Sequence, residues 1–220
     1  MGKFKLDNPG LMYPAGNLFI PIQHGRLEAI LKEPRIPIRG VALVLHPHPL
    51  GGGTMHNKVV FRAAAALNDA GLIVLRINFR GVGQSTGEHD EGRGEQEDAR
   101  AGLNYLSENY PAEKITLCGF SFGARVGLEV GMKDDRVTRL ISIGTPIDKY
   151  DFTFIENVCK PLLFVQGEHD EYGNVDRLRE LVAKIKPPAQ LKIIKGAGHF
   201  FEDHLGELKA VITDWVMSKA

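Results

Sequence analysis

At 220 residues with 43% hydrophobic content, the chain is long enough for one well-buried core and short for two, so a single domain over residues 1–220 is expected. Lysine plus arginine and aspartate plus glutamate both number 27, which removes the net positive field that draws proteins to nucleic acid or acidic membranes. No run approaches the roughly 18 consecutive apolar residues of a membrane span. Two cysteines, Cys118 and Cys159, are too few for a disulfide framework, and their apolar neighbours (TLCGF, ENVCKPLLF) read as buried thiols of a reducing compartment, the cytoplasm.

The N-terminus, MGKFKLDNPG, is basic without an apolar run behind it, so it does not read as a secretory signal. Gly2 follows Met1, but Leu6 stands where myristoylation wants Ser or Thr. Short β-rich runs follow at 18–21 and 27–31, joined closely enough for an antiparallel hairpin on a sheet edge. From 41–45 onward, strands at 72–79, 114–118, 139–143, 161–165 and 191–194 alternate with helices over 58–70, 95–110, 122–132, 175–185 and 203–217. The last helix places Leu205, Leu208, Ile212 and Trp215 on roughly one face. A helical crossover returns the chain to start the next strand in the same direction, so this alternation predicts an α/β fold: a mostly parallel sheet of about eight strands flanked by helices.

In such a sheet ligands gather beyond the carboxyl ends of the strands. The first of those ends carries LHPHPLGGGTMHN, residues 45–57, whose histidines and glycines allow three readings: a metal site, a phosphate cradle, or a bent backbone that donates hydrogen bonds to a substrate oxygen. A phosphate loop needs Gly-Lys followed by Ser or Thr, and Thr54-Met55-His56-Asn57-Lys58-Val59 does not supply it. His46, His48 and His56 have no acidic or thiol ligand near them in sequence, which counts against a metal; His46 instead reads as a hydrogen-bonding support of the loop. Further on, Gly81-Val82-Gly83-Gln84-Ser85-Thr86 lacks the third glycine of a dinucleotide fingerprint, and the acidic run 88–91 reads as a solvated loop.

Gly119-Phe120-Ser121-Phe122-Gly123 is a G-x-S-x-G pattern between a strand and a helix. There a sharp turn lifts a serine oxygen above the sheet, and the flanking glycines remove side chains that would collide where strand end and helix start converge. Gly123, Gly127 and Gly131 fall on one helical stripe, which points to close approach of that helix to the sheet. A serine hydroxyl is a weak nucleophile unless a base takes its proton and a third group orients the base. Later strand ends supply both types: Gln166-Gly167-Glu168-His169-Asp170-Glu171 and Gly196-Ala197-Gly198-His199-Phe200. The order Ser121, Asp170, His199 is that of the serine, acid and histidine of α/β-hydrolases.

On LVLHPHPLGGG, NFRGVGQSTG, GFSFG, QGEHDEYG and GAGHF, in this order and spacing, the chain resembles small bacterial-type α/β-hydrolases, the compact esterases and the dienelactone-hydrolase-like members, from about residue 41 to the C-terminus. Dienelactone hydrolases carry a cysteine where this chain has Ser121, so their substrate does not follow. The resemblance implies a serine esterase acting on small or short-chain carboxylic esters through an acyl-enzyme, without cofactor or metal. A thioesterase, peptidase or acyltransferase with the same triad, or a non-catalytic ligand-binding module, are the alternatives. It makes Asp170 the acid, three residues after Gly167 as the family's acid follows its glycine, ahead of Glu168, Glu171 and Asp148; His169 lines the loop without chemistry. It also implies an oxyanion hole made by the N–H of Phe122 and a second N–H after the strand at 41–45. Pro47 and Pro49 have no N–H, which leaves His48, favoured by alignment with the family's His-Gly turn, or Leu50. Family cap domains enter where this chain has only residues 144–160, so a minimal cap is expected, with Tyr150, Phe152 and Phe154 either a short packed segment or an apolar substrate wall.

Overall fold

The computed structural model describes residues 16–23, 25–186 and 189–218; the N-terminal decapeptide, on which the reading of targeting signals falls, lies outside them. Among the described residues the chain builds one eight-stranded sheet in the order β1-β2-β4-β3-β5-β6-β7-β8. β1 (Asn17–Ile22) and β2 (Gly25–Lys32) form the antiparallel hairpin at one edge, and β2 runs antiparallel to β4 (Leu72–Ile77). From β4 through β3 (Gly40–Leu45), β5 (Ile115–Phe120), β6 (Val137–Ile143), β7 (Leu162–Gly167) and β8 (Ala189–Ile194) every pairing is parallel.

The central strands are buried on both faces, which is why they read as unbroken apolar runs instead of alternating ones. Their side chains still divide by the two-residue period of a strand. Val41, Leu43 and Leu45 pack toward α2 (Arg93–Asn109), α3 (Phe122–Gly131) and α4 (Val175–Lys184), in a core with Leu103, Val126 and Leu178. Ala42 and Val44 pack toward α1 (Lys58–Asp69) and α5 (Leu205–Ser218), with Val60, Leu67, Ile212 and Trp215. Asn57 starts α1 by accepting the N–H of Val59 at 2.9 Å, and Asn174 starts α4 by accepting those of Asp176 and Arg177, both at 3.0 Å; each satisfies donors that a helix end leaves open.

After β3 the chain moves to β4 on one side, then returns to place β5 on the other side of β3. The loops leaving β3 and β5 therefore diverge and open a crevice above the sheet, the position where open α/β sheets bind ligands. The loop after β4 is locked from below: Asp98 accepts the backbone N–H of Arg80 at 2.8 Å and its guanidinium at 2.9 Å, and Ser85 bridges the N–H of Glu28 and the carbonyl of Asn78. The two thiols behave differently. Cys118 is buried in β5 and burial pushes its pKa up, whereas Cys159 is exposed in the turn before β7, because the apolar residues around it belong to the strand that follows and not to its own position.

Candidate active site

β5 ends at Phe120 and α3 begins at Phe122, so the turn is made by Ser121 alone. Its backbone sits at φ 55°, ψ −119°, a conformation costly for a residue with a side chain and held here by the surroundings: Ser121 N–H donates to the carbonyl of Ile143 at 2.9 Å, and its own carbonyl accepts from Ala124 at 2.9 Å. The flanking glycines are required by space. A Cβ on Gly119 would lie 2.1 Å from the carbonyl oxygen of Gly123, and one on Gly123 would lie 2.5 Å from that of His46. The close approach does not run along the whole stripe, since a Cβ on Gly127 would meet only ordinary contacts at 3.5 Å.

Ser121 Oγ lies 2.9 Å from Nε2 of His199, and Nδ1 of His199 lies 2.9 Å from both carboxylate oxygens of Asp170. A carboxylate only accepts, so Nδ1 carries the proton and Nε2 is left with a lone pair toward the serine hydroxyl. Asp170 is itself oriented: Oδ1 accepts the backbone N–H of Tyr172 at 2.9 Å, and Oδ2 accepts from Nε2 of Gln166 at 2.8 Å. Gln166, fully buried in β7, also accepts the N–H of Thr145 at 2.7 Å and donates to the carbonyl of Gly173 at 3.0 Å. The imidazole of His199 is walled by Phe120, Phe200 and Tyr172, with ring centroids at 5.0, 5.2 and 4.7 Å. Gly144, at φ 54°, leaves the remaining space, because a Cβ there would lie 3.2 Å from His199 Cε1 and 2.8 Å from Phe120. The other carboxylates considered as the acid are engaged elsewhere. Asp148 pairs with Arg177 and accepts the N–H of Asn174, Glu168 accepts the N–H of Gly196 at 2.9 Å, and Glu171 reaches only the backbone N–H of His199 at 3.4 Å. His169 is exposed at the side of the loop.

The loop after β3 is organised around His46, which is completely buried. Its Nδ1–H donates to the carbonyl of Pro47 at 2.7 Å, which leaves Nε2 to accept the N–H of Phe79 at 3.0 Å. Burial lowers its pKa from 6.5 to about 4, against the opposing pull of the Pro47 carbonyl and of Glu95. Because the two ends of a trans peptide point in opposite directions, fixing the Pro47 carbonyl inward turns the N–H of His48 outward, on the side where His48 lines the crevice. The carbonyl of His48 accepts from Gly51 and Gly53, both at 3.0 Å, which curls the glycines into the 3₁₀ turn Pro49–Gly51. Leu50 is 77% exposed and its N–H is taken by Nδ1 of His48 at 3.2 Å, which leaves the amide of His48 as the candidate donor of the two residues after β3. Burial, and then the neighbouring His89, hold the His48 imidazole below its usual pKa, which preserves the lone pair that Leu50 needs.

These groups border a cavity of about 470 Å³ lined by His48, Ser121, Phe122, Tyr150, His199 and Phe200 among others. Tyr150 lies in its wall, with the Arg125 guanidinium 4.8 Å above its ring. Phe152 and Phe154 do not. Phe152 is 2% exposed and packs into the core below, and Phe154 stacks on it at 5.9 Å and faces a different cavity beside Glu129 and Met132. No lid covers the crevice from residues 144–160, which carry only the 3₁₀ turn Thr153–Asn157. Sequence reasoning missed Gln166, Gly144, Tyr172, Phe200, Lys149 and Asn57. For Tyr172 and Phe200 a signal existed: they stand within two residues of Asp170 and His199 on the same strand-end loops.

Comparison with known proteins agrees with this architecture. Residues 42–158 match the family model for the alpha/beta hydrolase fold. An uncharacterized protein of Rickettsia prowazekii is 39% identical over 88% of this chain and 85% of its own length. An alpha-beta serine hydrolase homologue from Coxiella burnetii superposes with a TM-score of 0.87 at 36% identity, over 93% of this chain and 99% of that one. A serine hydrolase without lid from Xanthomonas campestris does so at 0.85 and 33%, over 95% and 97%. The chain belongs to the alpha/beta-hydrolase superfamily. Its neighbours support a hydrolase, and among the described residues no helix is long and apolar enough to cross a membrane.

Proposed function

We propose that the protein is a serine esterase that cleaves small carboxylic esters, with Ser121 as nucleophile, His199 as general base and acid, and Asp170 as the group that orients the imidazole. The observation that carries this reading is the unbroken hydrogen-bond chain from Ser121 Oγ through His199 to Asp170, all three contacts at 2.9 Å, with the serine held at positive φ. His199 Nε2 takes the hydroxyl proton as Oγ attacks the ester carbon, giving a tetrahedral intermediate. Its negative oxygen accepts from the N–H of Phe122, a helix-start donor without an intrahelical partner, and from the N–H of His48. Collapse expels the alcohol, which leaves with the proton from His199 and an acyl group on Ser121. Water then gives up a proton to the same nitrogen and attacks the acyl carbon, releasing the acid and restoring the serine.

The open crevice and its moderate volume favour short or water-soluble esters over lipid interfaces. The free thiols and balanced charge fit a cytoplasmic enzyme acting on small molecules. The test is pre-steady-state release of nitrophenol from 4-nitrophenyl acetate. A burst equal to the enzyme concentration, absent in Ser121→Ala, supports the mechanism; hydrolysis that survives Ser121→Ala removes it. Faster turnover of a long-chain than of an acetyl ester would remove the short-chain preference.

A further inference from the structure

The cavity over Ser121 does not end at Phe200. A second cavity of about 540 Å³ begins on the far side of that ring, and the two share Gly52, Asn57 and Phe200 as a common border. Their walls differ in chemistry. Around Ser121 the wall is largely aromatic and proline, with Phe122, Pro146, Tyr150 and Tyr172. Beyond Phe200 the wall joins the apolar Val59 and Leu205 to Thr54, His56, Asn57, Lys58, Glu202 and Asp203, whose side chains present charged donors and acceptors of both signs that the first cavity does not gather in such number. Among the described residues, the side chains of His56, Lys58, Glu202 and Asp203 make no hydrogen bond or ion pair within the protein. Phe200, 43% exposed, is the apolar ridge between the two halves.

The chemistry assigned above gives this arrangement a direction. The leaving oxygen must receive its proton from Nε2 of His199, so the alcohol half of the ester departs on the imidazole side, while the carbonyl oxygen faces the amides of Phe122 and His48. Phe200 adjoins His199 in sequence and meets its ring edge-on at 5.2 Å, so a path out along the imidazole leads over Phe200 into the polar cavity. We infer that this second cavity is a leaving-group subsite and that the substrate is an ester of a polyhydroxylated alcohol, a sugar or polyol, whose hydroxyls engage the carboxylates, amide and imidazole while its C–H face lies on Phe200. The inference rests on the esterase reading. A simple alcohol would leave those polar groups facing water and gain nothing from them.

The experiment compares two esters with the same acyl group, 6-O-acetylglucose and ethyl acetate, by proton release in a pH-stat, in wild type and in His56→Ala/Glu202→Ala. Both residues are exposed, so folding is not at stake, and 4-nitrophenyl acetate reports the triad separately. The expected result is a kcat/KM ratio favouring the sugar ester by about tenfold or more, lost mainly through KM in the double variant, because a site built to pair hydroxyls discriminates against a partner that lacks them. A ratio near one in wild type, a ratio the double variant leaves in place, or a preference for acetylcholine over the sugar ester overturns the subsite. Absence of Ser121-dependent nitrophenol release overturns the esterase reading and the subsite with it, and so distinguishes that failure from the other three.

Discussion

The two halves of the crevice are built on different terms. Ser121, His199 and Asp170 are hydrogen-bonded to one another in that order, Asp170 is held further by the Tyr172 amide and the buried Gln166, His199 is walled by aromatic rings and Gly144, and Ser121 stands between glycines that admit no side chain. The substrate-facing wall of Tyr150, Tyr172 and Phe200 is held by ring contacts and stands half in solvent. The lesson is a division of labour: positions where a small displacement stops proton transfer are over-determined, and positions that only shape a cavity are left adjustable.

The sharpest way to break that comparison is at its centre. Ser121→Ala should lower kcat for 4-nitrophenyl acetate by at least about 10⁴-fold, with a Tm within a few degrees of wild type, since under the proposed mechanism loss of the nucleophile leaves only binding and oxyanion stabilisation. Next comes the pair of aromatic residues two apart on the connecting segment. Phe152→Ala should cost about 3–5 kcal/mol in urea unfolding, the range for emptying a core phenylalanine site. Tyr150→Ala should leave stability nearly unchanged and raise KM. A reversed outcome, with Phe152 affecting KM, would place it in the cavity wall.

That pair also marks where sequence reasoning stopped. The eight strands, the hairpin edge and the meeting of Ser121, Asp170 and His199 were legible because each depends on local grammar: apolar runs, a strand-to-helix glycine turn, and residues placed just past strand ends. The alternation of Tyr150, Phe152 and Phe154 did not choose between packing and a common wall, because a wall presumes an extended chain, and here the chain turns into the 3₁₀ helix Thr153–Asn157 and rotates successive rings to different surroundings. Gln166 was invisible for another reason. It lies inside an otherwise apolar strand, and although Asp170 and Gly173 follow on the loop that leaves that strand, its third partner, Thr145, comes from the loop after β6, so the strand pattern alone does not announce a polar side chain that ties the two loops together.

His46 extends the comparison to pH. Its neutral ring is required by the Phe79 N–H that Nε2 accepts, and its pKa in the folded protein is about 4 against 6.5 for an ordinary histidine. A base depressed by folding is protonated first in the unfolded chain. Its contribution is therefore fully present above pH 6.5 and is lost progressively as pH falls from 6.5 toward 4, by up to about 3 kcal/mol. His46→Gln, whose amide does not titrate, should be less stable than wild type at pH 7.5, and the gap should narrow as pH approaches 4.5. Urea midpoints at four pH values measure it; a gap constant with pH would show that His46 titrates normally in the fold.

Gln166 gives the smallest and most discriminating effect. Gln166→Leu keeps the volume but strips Asp170 Oδ2 of one of its two buried donors and leaves the N–H of Thr145 unpaired, which should cost about 1–3 kcal/mol of stability. If Gln166 positions the carboxylate as well as filling space, the loss of a hydrogen bond to a charged group should also lower kcat by about ten- to a hundredfold, with KM little changed, because the orientation of Asp170 matters most when the imidazolium forms. A variant that loses stability while keeping kcat would make Gln166 a structural residue only. The rigidity of the reactive half would then come from the Tyr172 amide and the packing around His199, not from the buried amide beneath them.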